Sequence, residues 1–328
     1  MSTTSRQPSQ SGEGTARSRM ASATQAQLRR RYASLALLGS VLIVGACATD
    51  RSGAVVTHAQ ATHLQPAHAQ MVQAPTADLE AVLVDARRSE KNRLRDSARH
   101  PLQTLQFFGV AANSTVVEIY PGGGWYTEIL APYLKQRGRY YAALPYVAPD
   151  ATGYMADSVR SFRERLATEP AAFAAVEFTA VAPPEHVAIA PKGTADFVLT
   201  FRNVHNWMSA GNAAGMFDAF FAALKPGGVL GVVEHRAAPG SSTELMIKSG
   251  YVTEQQVIDY ALAAGFTLAA RSEINANAKD TKDHPAGVWT LPPVLRLKDV
   301  DRDKYLAIGE SDRMTLKFTK PASASAAH

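Results

Sequence analysis

Four short stretches of this sequence gather side chains able to do chemistry. The first is Glu118 with Tyr120-Pro121-Gly122-Gly123-Gly124, a carboxylate leading into a glycine-rich turn. Glycine matters there because a side chain would hold a ligand away from the backbone. The second is Arg202-Asn203-Val204-His205-Asn206-Trp207. It sets an imidazole, which changes charge near neutral pH, between two amides that can either position a substrate or cap a following helix. The third is Glu234-His235-Arg236, and the fourth joins Asp280 to Asp283 and His284. Asp283 and His284 together are too few to hold a metal, so no metal site is expected.

The first three stretches each close an apolar run of strand length. Residues 115–120, 140–144, 175–181, 196–201, 229–234 and 266–274 read as strands. Between them, 125–134, 154–166, 213–224 and 253–264 read as helices. Strands alternating with helices of this length predict an α/β fold with a mostly parallel sheet covered on both faces. A last strand, 313–319, follows a long irregular segment containing Pro285, Pro292 and Pro293, where a lid can sit. Upstream, 78–97 reads as one helix, with Leu79, Val82 and Leu83 before a dense charged stretch. His100-Pro101 ends it, and a short helix over 102–108 closes at Gly109.

The chain carries a formal charge of +5, yet the excess is confined to its beginning. Residues 1–46 hold six arginines and one acid, and the remainder is formally neutral. No basic footprint is left for a nucleic acid. Arg29-Arg30-Arg31 precedes an apolar run from Tyr32 to Ala46, too short for a comfortable spanning helix and flanked like a secretion signal. Val44-Gly45-Ala46-Cys47 resembles a lipobox, which makes Cys47 the expected lipidation site. Cys47 is also the only cysteine, so no intrachain disulfide can form. Cleavage after Ala46 or Ala48, an uncut anchor, and a cytoplasmic protein with a misread leader stay open. The expected organisation is a lipoprotein signal over 1–46, a flexible tether over 47–76, one domain over 77–320 and a disordered tail over 321–328. Ala48 after the cysteine points to the outer membrane of a Gram-negative envelope, with the domain facing the periplasm.

Taken together, several motifs resemble the class I S-adenosylmethionine-dependent methyltransferases. Glu118, Gly122 and Gly124 match their acid and glycine-rich turn. Lys225-Pro226-Gly227-Gly228 resembles the turn before their fifth strand, Val257 to Phe266 their last helix, and Asp312 to Phe318 their antiparallel seventh strand. The chain is especially similar to a group of exported, predicted methyltransferases through Arg99-His100-Pro101, Pro121-Gly122-Gly123-Gly124-Trp125-Tyr126 and Phe201-Arg202-Asn203-Val204-His205-Asn206. A dinucleotide site fits worse, because Thr127 stands where the third glycine of G-x-G-x-x-G would fall.

The resemblance implies a Rossmann-like sheet with an antiparallel last strand and S-adenosylmethionine as cofactor. Glu118, Tyr120, Gly122, Gly123 and Gly124 would contact it. His205 would be the base, with Asn206 and Asn203 positioning a small-molecule or envelope acceptor. Trp125 and Tyr126 would pack the first helix on the sheet, and Arg99-His100-Pro101 would either end a helix or close over the cofactor. Tyr120 occupies the first glycine position, and Leu144-Pro145 stand where a second acid should grip the ribose. The cofactor site is thus either rebuilt or lost. The alternative to an enzyme is a non-catalytic module that binds a ligand or partner on the same fold.

Overall fold

The computed structural model describes residues 76–322. The expected leader, Cys47, all of the tether but Thr76, and the tail from residue 323 lie outside the described residues.

Seven strands form one sheet: β1 Thr115–Ile119, β2 Arg139–Pro145, β3 Val176–Val181, β4 Ala195–Phe201, β5 Leu224–His235, β6 Thr267–Ser272 and β7 Arg313–Thr319. Their order is β3-β2-β1-β4-β5-β7-β6. β1 pairs in parallel with β2 on one side and β4 on the other, placing Glu118 opposite Ala142 and Leu199. β7 runs antiparallel between β5 and β6. The expected α/β sheet with an antiparallel last strand is therefore what forms. The strand order turns back between β1 and β4, and in such sheets the crevice at that switch point is where ligands sit.

Both faces of the sheet are covered. α1 Thr76–Leu83, α2 Glu90–Arg93, α3 Asp96–Arg99 and α4 Pro101–Phe108 precede β1, and α5 Thr127–Leu134 follows it. α6 Tyr154–Ala167 and α7 Pro170–Phe173 lead to β3, then α8 Val204–Ala210 and α9 Ala213–Ala223 join β4 to β5. α10 Thr243–Ser249, α11 Glu254–Ala263 and α12 Arg302–Ile308 complete the chain. One core packs Val117, Ile119, Val198, Trp207 and Phe220, and the other packs Val116, Leu105, Phe108, Ile129 and Leu199. The alternation of Val116 and Val117 between the two is the period-two signature of a strand buried on both faces.

The N-terminal segment departs from the single helix expected over 78–97. It breaks into α1, α2 and α3 because its charges turn inward. Arg88 is 2% exposed, donates to the Leu83 carbonyl at 2.9 Å and holds Asp96 through both terminal nitrogens at 2.6 and 2.8 Å. A straight helix would carry Arg88 and Asp96 apart. His100 then takes a left-handed conformation (φ 41°), and Pro101 starts α4, where its missing N–H costs nothing.

Candidate functional site

The crevice at the carboxyl ends of β1 and β4 is a cavity of about 480 Å³, within the range of small-molecule sites. Glu118, the turn from Tyr120 to Gly123, Arg202 and Asn203 form its floor. Arg95 and Arg99 form a wall, and Pro293 from the irregular segment stands at its rim.

The glycine turn divides by role. A side chain at Gly122 or Gly123 would meet nothing within 4 Å, so a ligand can come against that backbone. Gly124 differs. It does not line the cavity, its φ of +77° favours glycine, and a Cβ there would meet the Arg165 guanidinium and come within 3.0 Å of the Phe162 ring.

Tyr120 has φ +48°, the left-handed region that suits a glycine at that place. Its ring is directed sideways. The hydroxyl donates to the Val181 carbonyl at 3.1 Å, and the ring meets Trp207 edge-on at 5.8 Å. Since β3 lies two strands from β1, the ring passes the end of β2, where Leu144 and Pro145 stand in place of an acid.

Glu118 is 2% exposed. Its Oε2 accepts from the Thr127 hydroxyl at 3.0 Å and from the Tyr140 hydroxyl. Burial pushes its pKa up to about 7, against the opposing pull of those hydroxyls, Arg202 and Arg165.

The residues after β4 take several roles. Asn203 reaches the cavity, and its amide also donates to the Ile119 carbonyl at 3.0 Å and the Thr200 hydroxyl at 3.2 Å. His205 and Asn206 do not line the cavity. Asn206 is exposed, whereas His205 is buried with its Nδ1 3.0 Å from Glu234 Oε1. A carboxylate only accepts, so His205 Nδ1 is the donor in this bond. The other Glu234 oxygen accepts from the Val204 N–H at 2.6 Å, the start of α8. Glu234 therefore caps that helix from another strand.

His205, Glu234 and His235 each bring one ligand atom within 4.8 Å of the others, a grouping not anticipated from sequence. The carboxylate is already committed to Val204, His235 and His205, and His235 Nδ1 lies 2.6 Å from the Ser311 hydroxyl. A metal would have to displace these bonds, and the cluster accounts for itself as a helix cap.

Asp280 joins no ligand-facing group. It is 4% exposed and accepts from the Tyr251 hydroxyl and the Asp312 N–H, with His284 Nε2 at 2.8 Å. Asp283 bonds only locally, to Thr281. This cluster fastens the irregular segment to β7.

The sequence singles out Arg99 and Arg202 separately, in two different motifs, but neither Arg95 nor the grouping of the three arginines in one cavity. Trp125 fixes the wall that holds them: its indole N–H donates to the Asn92 carbonyl at 2.9 Å, and Arg99 lies over its ring at 4.8 Å. Tyr126 stacks on Phe201 at 3.6 Å. Both rings do pack, with Trp125 serving the N-terminal wall.

No protein-family model matches the chain, and no curated protein matches it. Several solved structures are similar to it. A SAM-dependent methyltransferase from Aquifex aeolicus is 14% identical, with 75% of this chain and 98% of that one covered and a TM-score of 0.44. The [4+2]-cyclase SpnF is 16% identical, with 69% and 81% covered and a TM-score of 0.45. An arsenic(III) S-adenosylmethionine methyltransferase from Chlamydomonas reinhardtii is 11% identical, with 76% and 74% covered and a TM-score of 0.44. The sheet order and the antiparallel β7 agree with the fold that the sequence resemblance implies, and fold alone assigns no reaction.

Proposed function

We propose that this chain is an exported, lipid-anchored, methyltransferase-like enzyme that takes a small molecule in the crevice above β1 and β4. One observation carries the reading: a cavity of about 480 Å³ lies at the switch point, with open backbone at Gly122 and Gly123. The acceptor is a small molecule or an envelope component. Nothing in the charge distribution favours a nucleic acid.

S-adenosylmethionine is the cofactor this fold implies, and its two ends fare differently. The aminoacyl end, a zwitterion, suits a cavity with both basic and acidic walls. The nucleoside end is less well served, because the Tyr120 hydroxyl reaches across to the Val181 carbonyl and β2 ends in Leu144 and Pro145 in place of an acid for the ribose. That observation favours a second reading, a non-catalytic module binding another ligand.

Titrating S-adenosylhomocysteine into the full chain in detergent micelles, with thermal unfolding as readout, separates the two. The enzyme reading expects stabilisation of about 2.7 kcal/mol at a hundred times Kd, with tighter binding in Tyr120→Gly. Binding by Tyr120→Gly alone would favour the module. Flat titrations of both folded proteins would overturn the cofactor assignment.

The anchor is proposed from Cys47 and its leader. Among the described residues no helix is long and apolar enough to cross a membrane. Cells fed labelled palmitate should yield labelled protein, and Cys47→Ser should abolish the label. Unlabelled, unprocessed wild type would defeat the lipoprotein reading.

A further inference from the structure

Arg95 and Arg99 in the cavity wall and Arg202 in its floor line one cavity, and their counter-charge is incomplete. Glu310 is the carboxylate bonded among them. It accepts from Arg95 Nε at 2.6 Å, Arg99 Nε at 3.0 Å and a third guanidinium, Arg313 Nη1, at 2.9 Å. Arg202 donates no side-chain hydrogen bond to any described residue. Four guanidiniums thus share one bonded carboxylate, and Glu118 beside them is partly neutral at pH 7.

The geometry leaves specific donors over. Both Arg95 and Arg99 spend their Nε on Glu310, while Arg95 Nη2 and Arg99 Nη1 are buried without a partner. Arg99 is only 3% exposed. Arg202 is held at φ +61° with its N–H on the Val233 carbonyl at 2.7 Å. Such a conformation persists in a non-glycine residue only where the surroundings enforce it. Burying unpaired donors and excess like charge is costly, and the planar guanidinium fork matches the oxygens of carboxylate and phosphate.

We propose that Arg95, Arg99 and Arg202 form an oxyanion-binding site that takes the carboxylate or phosphate end of the crevice's ligand. The proposal rests on the crevice being a ligand site, but it does not require S-adenosylmethionine. The anion can come from an aminoacyl group or from an acidic acceptor.

The test uses the full chain in detergent micelles at fixed ionic strength, with chloride replaced stepwise by inorganic phosphate. Wild type should gain several degrees of melting temperature as phosphate rises. Arg202→Gln should melt no lower than wild type in chloride, having lost a repelling charge, and should lose the phosphate-dependent gain. Arg95→Gln, at a partly exposed position, gives the same readout should Arg202→Gln fail to fold.

Two nucleosides then separate the sources. S-adenosylhomocysteine competing with phosphate, where 5′-methylthioadenosine does not, places an aminoacyl carboxylate in the site. Phosphate binding that S-adenosylhomocysteine leaves untouched places an acidic acceptor there and counts against the cofactor reading alone. Identical melting in phosphate and chloride, or a phosphate gain retained by the folded arginine variants, would overturn the proposal.

Discussion

Glu310→Gln is expected to destabilise the protein by about 3–5 kcal/mol near neutral pH, the range for removing one partner of a buried ionic network. Gln preserves the shape and removes the charge. Glu310 is the anion bonded to Arg95, Arg99 and Arg313, and its side chain is only 9% exposed, so solvent screens little of the loss. Burial acts to raise its pKa, yet Arg99, Arg313 and Arg95 overcome that and hold it at about 2. A carboxylate so lowered stabilises the fold above its unfolded value of 4.5, and that stabilisation is lost as pH falls through about 2. Urea unfolding of both proteins should therefore differ by a constant amount above pH 5, with the gap closing towards pH 2. A gap below 1 kcal/mol at pH 7 would mean that the arginines have another counter-charge.

That network also marks where sequence stops being informative. The sheet was legible because its strands are buried on both faces, so apolar runs such as Val116-Val117 and Val198-Leu199 declare themselves without tertiary context. Arg313–Thr319 is no apolar run and was legible as a last strand through its resemblance to the antiparallel seventh strand of the methyltransferases. The charged stretch before His100 misled, because charge in a sequence normally means a solvated helix face. Here Arg88 and Arg99 are buried against Trp125, and pairing with Asp96 and Glu310 is set by contacts across the fold. No local period reports a partner 211 residues away, which is the separation between Arg99 and Glu310.

The crevice divides along the same line. Its position followed from the glycine turn and the strand pattern, and the backbone at Gly122 and Gly123 lies open. The direction of the Tyr120 ring did not follow, since it depends on the Val181 carbonyl and Trp207 from later segments. Nor did the placement of His205. A histidine after β4 reads as a base, but Glu234, opposite Met314 in the register of β5 and β7, draws it inward. Residue type announced both groups, and long-range packing decided their use.

Glu118→Gln should change the pH dependence of stability across the acid-to-neutral range. Glu118 has its pKa raised from 4.5 to about 7, with burial the main cause. Between these values the folded state holds a proton that the unfolded chain has released, so wild type loses stability as pH rises through that window. A shift of this size corresponds to about 3 kcal/mol by linkage. Gln does not titrate, and its amide oxygen can still accept from Thr127 and Tyr140. Relative to wild type, Glu118→Gln should therefore gain about 3 kcal/mol from pH 4.5 to 7 and then level off. Denaturant unfolding at half-unit pH steps measures this directly, and parallel curves would mean that Glu118 titrates alike in both states. The sign bears on the ligand as well. A cationic group bound beside Glu118 would favour its ionised form and flatten the wild-type curve, whereas an anion on the nearby arginines would withdraw their help and steepen it. The same titration run with phosphate therefore reports on which charge the crevice accepts.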